Sequence, residues 1–114
     1  MICVSPINND YYNGFVVEGH ADYAERGYDV VCASMSASVY TTHNILAFTT
    51  PEHMLEAIFQ SGYSKVLICT PDERTDAVMD GFVAFCQQVE KQYPSYVMVK
   101  GDCNHAEQRI PRSK

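Results

Sequence analysis

Two stretches of helical spacing divide an otherwise β-prone chain, and they fix the order in which its elements must be assembled. In the first, Val31, Met35, Val39, Thr42 and Leu46 recur every three or four residues. They set one stripe of a helix over residues 30 to about 46, with Asp29 at its cap. In the second, Val78, Phe82, Phe85 and Val89 share a face of a helix over residues 73–92, and Pro94 stops it. Residues 2–7 and 14–18 are β-prone runs around Asn8-Asn9-Asp10, a turn sequence, so they form a hairpin whose second strand ends at Gly19-His20. Residues 53–59 and 63–69 flank Ser61-Gly62 and form a second hairpin. The run HMLEAIF also fits a helix, but the turn and the following SKVLIC favour a strand. Residues 96–99 supply a last strand.

The order is therefore ββαββαβ, and the expected fold is α+β: a mostly antiparallel sheet packed with two helices. With 114 residues the chain can bury one core. One domain is expected over 1–100, and 101–114, which has no periodicity, reads as a flexible tail. On the first helix Ala33, Ser34, Ser36, Ala37 and Ser38 make one side small, and tight packing is the expectation for Ala33 and Ala37.

The formal charge is -6 and uneven. The tail holds Arg109, Arg112 and Lys114, and Lys100 precedes it, so residues 1–99 are strongly acidic. An acidic body disfavours nucleic acid as a direct partner and suits a basic peptide. Five cysteines, an odd number without close pairs, argue against a disulfide framework or a structural metal site. No apolar run reaches the length of a membrane span and no basic-then-apolar leader opens the chain, so a cytoplasmic protein with no membrane partner is expected.

The chemistry concentrates between Gly19 and Ser36. His20 ends a strand, and Cys32 enters the first turn of a helix after a polar loop. Free amides at a helix start favour a thiolate, and an imidazole folded back onto it would take the thiol proton. That pair can attack a carbonyl and form an acyl-enzyme, with first-turn amides as expected donors to the oxyanion. The bland reading, a packed cysteine beside a turn histidine, explains the spacing as well. Ser36 lies one turn beyond Cys32 and either serves the site or bonds back to its own helix. Tyr23, Gly27 and Tyr28 in the loop are candidate peptide-binding residues.

Glu18-Gly19-His20-Ala21, then Gly27-Tyr28-Asp29-Val30-Val31-Cys32-Ala33 and Ser36, closely resembles the signature of the ribosomal-processing cysteine protease family (Prp). The resemblance covers most of the body. It implies a small α+β homodimer without a cofactor. It implies removal of a short N-terminal extension from a large-subunit ribosomal protein precursor, with the cut after an aromatic residue. Cys32 is then the nucleophile, His20 the base, Asp29 the helix-start acid and Ser36 the serine near the site, and the intervening loop moves when peptide binds. Ala33-Ser34 stands where the family has two alanines, and the tail is an addition. Such a member could also be of a phage type that processes another protein.

Two readings compete with proteolysis: a non-catalytic ribosome- or precursor-binding module of the same fold, and a thiol hydrolase of small molecules. Elsewhere, Cys103-Asn104-His105 lacks further ligands for a metal, and a disordered tail is the simpler reading. His43 and His53 read as surface residues, and Cys3, Cys69 and Cys86 as core packing.

Overall fold

A computed structural model describes residues 1–25, 28–49 and 55–100. The elements follow the expected order: β1 (Ile2–Asn8), β2 (Tyr12–Glu18), α1 (Val30–Thr49), β3 (Leu55–Gln60), β4 (Tyr63–Ile68), α2 (Glu73–Gln92) and β5 (Val97–Val99). The five strands form one sheet in the order β3-β4-β2-β1-β5. Every neighbouring pair is antiparallel except β1 and β5, which run parallel. No described helix is long and apolar enough to cross a membrane.

Period-two alternation decides which face of the sheet is covered. Ile2 and Val4 of β1, Phe15 of β2, Val66 and Ile68 of β4, and Val97 and Val99 of β5 are buried together. The α1 stripe of Val31, Met35, Val39, Thr42 and Leu46 is buried as its spacing predicts. Phe15 stacks on Phe82 with ring centroids 4.2 Å apart, which seats α2 on the middle of the sheet. Both ends of α2 are also tied by carboxylates: buried Asp76 accepts the Tyr12 amide at 2.8 Å, and Glu90 accepts the Val99 amide at 3.0 Å.

Several side chains lie other than the sequence predicts. Ala33 and Ala37 are exposed, because α1 turns its small side outward while its apolar stripe meets the core. On α2 the buried set is Thr75, Asp76, Met79, Phe82, Val83, Cys86 and Val89, so Phe85 is rotated out of the core. Cys69 sits just past the end of β4 and is exposed. His43 is half-buried and meets Phe59 edge-on at 5.2 Å rather than standing in solvent. His53, Cys103-Asn104-His105 and the tail lie outside the described residues.

Candidate active site

Cys32 is the third residue of α1 and is half-buried. Its Sγ accepts a hydrogen bond from the Ala21 amide at 3.4 Å. The loop from the end of β2 therefore folds back onto the helix start, as the path from His20 to Cys32 requires. Ala21 itself is almost wholly buried, at 3% exposure, so this amide lies out of reach of bulk water.

Asp29 makes that fold-back local and rigid. Its Oδ1 accepts the amides of Val31 and Cys32, both at 3.0 Å, which caps α1. Its Oδ2 accepts the amides of Tyr23 at 2.9 Å and Ala24 at 3.4 Å, which holds the loop. Burial alone pushes the Asp29 carboxyl up. The amides of Cys32, Tyr23, Ala24 and Val31 outweigh burial and hold it below its usual range. One consequence corrects the expectation for the oxyanion. The Val31 and Cys32 amides are taken by this carboxylate, and the Ala33 amide by the Asp29 carbonyl at 3.0 Å.

His20 lies two residues beyond the end of β2 at Glu18 and is exposed. Gly19 makes the turn into it with φ +99°, and a Cβ there would stand 2.2 Å from the Met1 carbonyl oxygen. The Gly19 amide donates to the Gly62 carbonyl at 2.9 Å, and the Met1 amino nitrogen donates to the His20 carbonyl at 2.7 Å. These bonds fix the backbone of His20. Its imidazole rests on Gly62 in the β3–β4 turn, where a Cβ would come 2.7 Å from Nε2. Among the described residues no hydrogen bond joins that ring to Cys32, so the structure brings the two backbones together and leaves the two reactive groups apart.

Ser36 is exposed one turn along α1. Ser34 and Ser38 bond back to the Val30 and Met35 carbonyls, at 2.7 and 2.8 Å. Ser36 makes no such bond among the described residues, so its hydroxyl is available on the Cys32 side of the helix. Tyr23 packs edge-on against Tyr93 and Tyr96, with centroids at 5.4 and 5.1 Å. Tyr28 is 79% exposed. Gly27 lies outside the described residues. Sequence reasoning missed Ala21, Gly62, Tyr93 and Tyr96. The Gly62 signal was present in the β-turn but pointed only to a hairpin. The tyrosines sit some seventy residues from the loop in sequence, with nothing local to connect them.

An open apolar groove of about 650 Å³ runs between α1 and α2, past Ala37, Ile45, Val78 and Phe85, and includes neither Cys32 nor His20. Among the described residues no cluster of three or more metal-ligating side chains forms.

The sequence profile of a family described as cysteine protease Prp matches residues 1–98. The ribosomal processing cysteine protease Prp of Staphylococcus aureus (strain Mu50) is 25% identical over 80 residues, which span 68% of this chain and 76% of that protein. A crystal structure of the S. aureus Prp protease with a covalently linked product peptide aligns with a TM-score of 0.79 at 21% identity, covering 87% of this chain and 97% of that one. SMU.848 from Streptococcus mutans aligns with a TM-score of 0.74 at 23% identity, covering 88% and 92%. The S. aureus protease with a substrate peptide aligns with a TM-score of 0.72 at 20% identity, covering 88% and 98%.

Proposed function

This chain belongs to the family of the cysteine protease Prp, and from that premise we propose that it trims the N-terminal extension of a large-subunit ribosomal protein precursor. The cut falls after an aromatic residue, with Cys32 as nucleophile and His20 as base. The observation that carries this reading is the half-buried Cys32 thiol in the first turn of α1, reached by the amide of the residue that follows His20.

The His20 imidazole first leaves Gly62 and takes the Cys32 proton. The thiolate attacks the scissile carbonyl carbon, a C–S bond forms, and the carbonyl electrons move onto oxygen. As the adduct collapses the C–N bond breaks, and His20 returns its proton to the leaving amine. Water then attacks the thioester, His20 accepting its proton, and the carboxylate product and the free thiol are released. Asp29 acts on the frame of this chemistry, because it binds loop and helix at once. Tyr23 and Tyr28 flank the loop as contacts for the peptide, and Ser36 offers a hydroxyl beside the thiol. The acidic body draws in a basic substrate of the ribosomal-protein kind. Action in the cytoplasm and as a homodimer belongs to the same proposal.

The test is cleavage of a synthetic peptide that spans the extension and its aromatic site, by wild type, Cys32→Ala and His20→Ala. Wild type cuts at one bond, Cys32→Ala binds without cutting, and His20→Ala cuts slower by at least about 10²-fold. Wild type that binds the peptide and leaves it intact would make the chain a binding module instead.

A further inference from the structure

Resting on that protease reading, we infer that the Ala21 backbone amide is an oxyanion donor of the reaction. Most amides around Cys32 are already held and are not free to turn to a new negative charge. Those of Val31, Cys32, Tyr23 and Ala24 are held by the Asp29 carboxylate, and that of Ala33 by the Asp29 carbonyl. The Tyr28 amide is held by the Glu25 carbonyl at 2.9 Å. Moving a donor from the Asp29 carboxylate to the oxyanion exchanges one charged bond for another and uncaps the helix, so little is gained.

The Ala21 amide differs. Its partner is the sulfur itself, at 3.4 Å. A thiol or thioether sulfur is a weak acceptor, so the ground state loses little when this bond is given up. In the tetrahedral adduct the oxyanion is carried by the carbon bonded to Sγ, and it lies in the same shell around the sulfur as the Ala21 nitrogen. The bond to the oxyanion is charge-assisted, unlike the bond the amide makes to the resting thiol.

The amide is also held in place beforehand. Upstream, Gly19 bonds the Gly62 carbonyl and the His20 carbonyl accepts from Met1. Downstream, Asp22 turns with φ +56° and the next two amides are pinned on Asp29. Ala21 between them is buried, so the donor is fixed and screened from water, the condition under which such a bond counts most. The same backbone segment thus supplies the base through the His20 side chain and the oxyanion donor through the next amide.

Removing this donor means removing a backbone N–H, and Cys32 makes that practicable. A synthetic 1–31 thioester joins to residues 32–114 by ligation at Cys32, giving the full chain with an ester in place of the 20–21 amide, or with all amides as control. Three readouts are compared: peptide cleavage, affinity for a peptide aldehyde that adds to Cys32 as a tetrahedral hemithioacetal, and alkylation of Cys32 by iodoacetamide, which forms no oxyanion. The ester chain is expected to lose about 100-fold in kcat with KM changed by less than about twofold. Aldehyde affinity should fall in parallel, and alkylation should keep its rate. Unchanged aldehyde affinity in the ester chain overturns the assignment. So does a loss of alkylation as large as the loss of cleavage, because the amide then serves the thiol or the fold. If the all-amide control neither cleaves the peptide nor takes up the aldehyde, the protease reading itself has failed, and the donor assignment falls with it.

Discussion

Both helices begin with an aspartate cap, and the two caps are built for different ends. Asp72 closes on its own helix: it accepts the amides of Arg74 and Thr75, and the Thr75 hydroxyl accepts the Asp72 amide in return. The first turn of α2 adds two more acids, Glu73 and Asp76. Asp29 gives one oxygen to its helix and the other to the loop amides of Tyr23 and Ala24, five and six residues past the end of β2, and the first turn of α1 holds no further acid. A reciprocal cap of this kind stabilises a helix. A shared cap makes the order of the loop and of the helix start depend on each other, and it leaves the first turn free of additional carboxylates that would oppose a thiolate.

The largest effect concerns the two thiols carried by the two helices. Cys32→Ala should abolish peptide cleavage, by more than about 10³-fold, with the melting temperature nearly unchanged. Cys86, wholly buried on α2, should behave oppositely. Cys86→Ala leaves a small void, costs about 1–2 kcal/mol in urea unfolding, and retains cleavage. If the two variants lose activity equally, the thiol on α1 has no privileged chemistry.

Much of this contrast was legible in the sequence, because caps and stripes are local. Asp29 before Val30, and Pro71-Asp72 before Glu73, announce helix starts whatever surrounds them. The α1 stripe is buried at all five of its positions. The α2 spacing points Phe85 inward, because spacing alone cannot fix the rotation of a helix that carries apolar residues on more than one side. Buried Thr75 and Met79 show the side the sheet selects. What could not be read locally is what Asp29 does with its second oxygen, or that His20 lies on Gly62. Both depend on the hairpin β3–β4 lying beside the exit of β2, a tertiary fact of strand order.

The next effect measures the caps themselves. Asp29→Ala removes the acceptor of four amides and should cost about 3 kcal/mol. Asp72→Ala, which loses two, should cost about 1 kcal/mol. Urea midpoints with unchanged slopes check both. Asp29→Ala should also lower cleavage, whereas Asp72→Ala should not, beyond its effect on the folded fraction. Equal costs with no change in activity would make the two caps equivalent and remove the coupling between loop and helix start.

Acid separates the charge of Asp29 from its shape. Its folded carboxyl titrates below the ordinary value, so the stability it contributes is fully present above the unfolded carboxylate pKa and is lost as pH falls through the depressed folded one. Asp29→Asn keeps one capping oxygen and cannot titrate. The stability gap between wild type and Asp29→Asn should therefore be constant from pH 7 to about 5 and narrow steadily below about 4. A gap that widens in acid would reverse the sign of the interaction.

The smallest effects come from the two tyrosines of the loop that Asp29 holds. Tyr23 meets Tyr93 and Tyr96 edge-on, so Tyr23→Ala should cost about 1–2 kcal/mol, and Tyr23→Phe, which keeps the ring, much less. Tyr28 stands 79% exposed one residue before the cap, and Tyr28→Ala should change stability by less than about 0.5 kcal/mol. An aromatic ring that contributes so little to the fold, four residues before Cys32 in the chain, is expected to act on the peptide. Tyr28→Ala should therefore raise KM about three- to tenfold with kcat little changed, the pattern of a contact made equally in the ground and transition states. A fall in kcat at constant KM would instead mean that Tyr28 helps set the helix start, and the shared cap would then extend to the residue beside it.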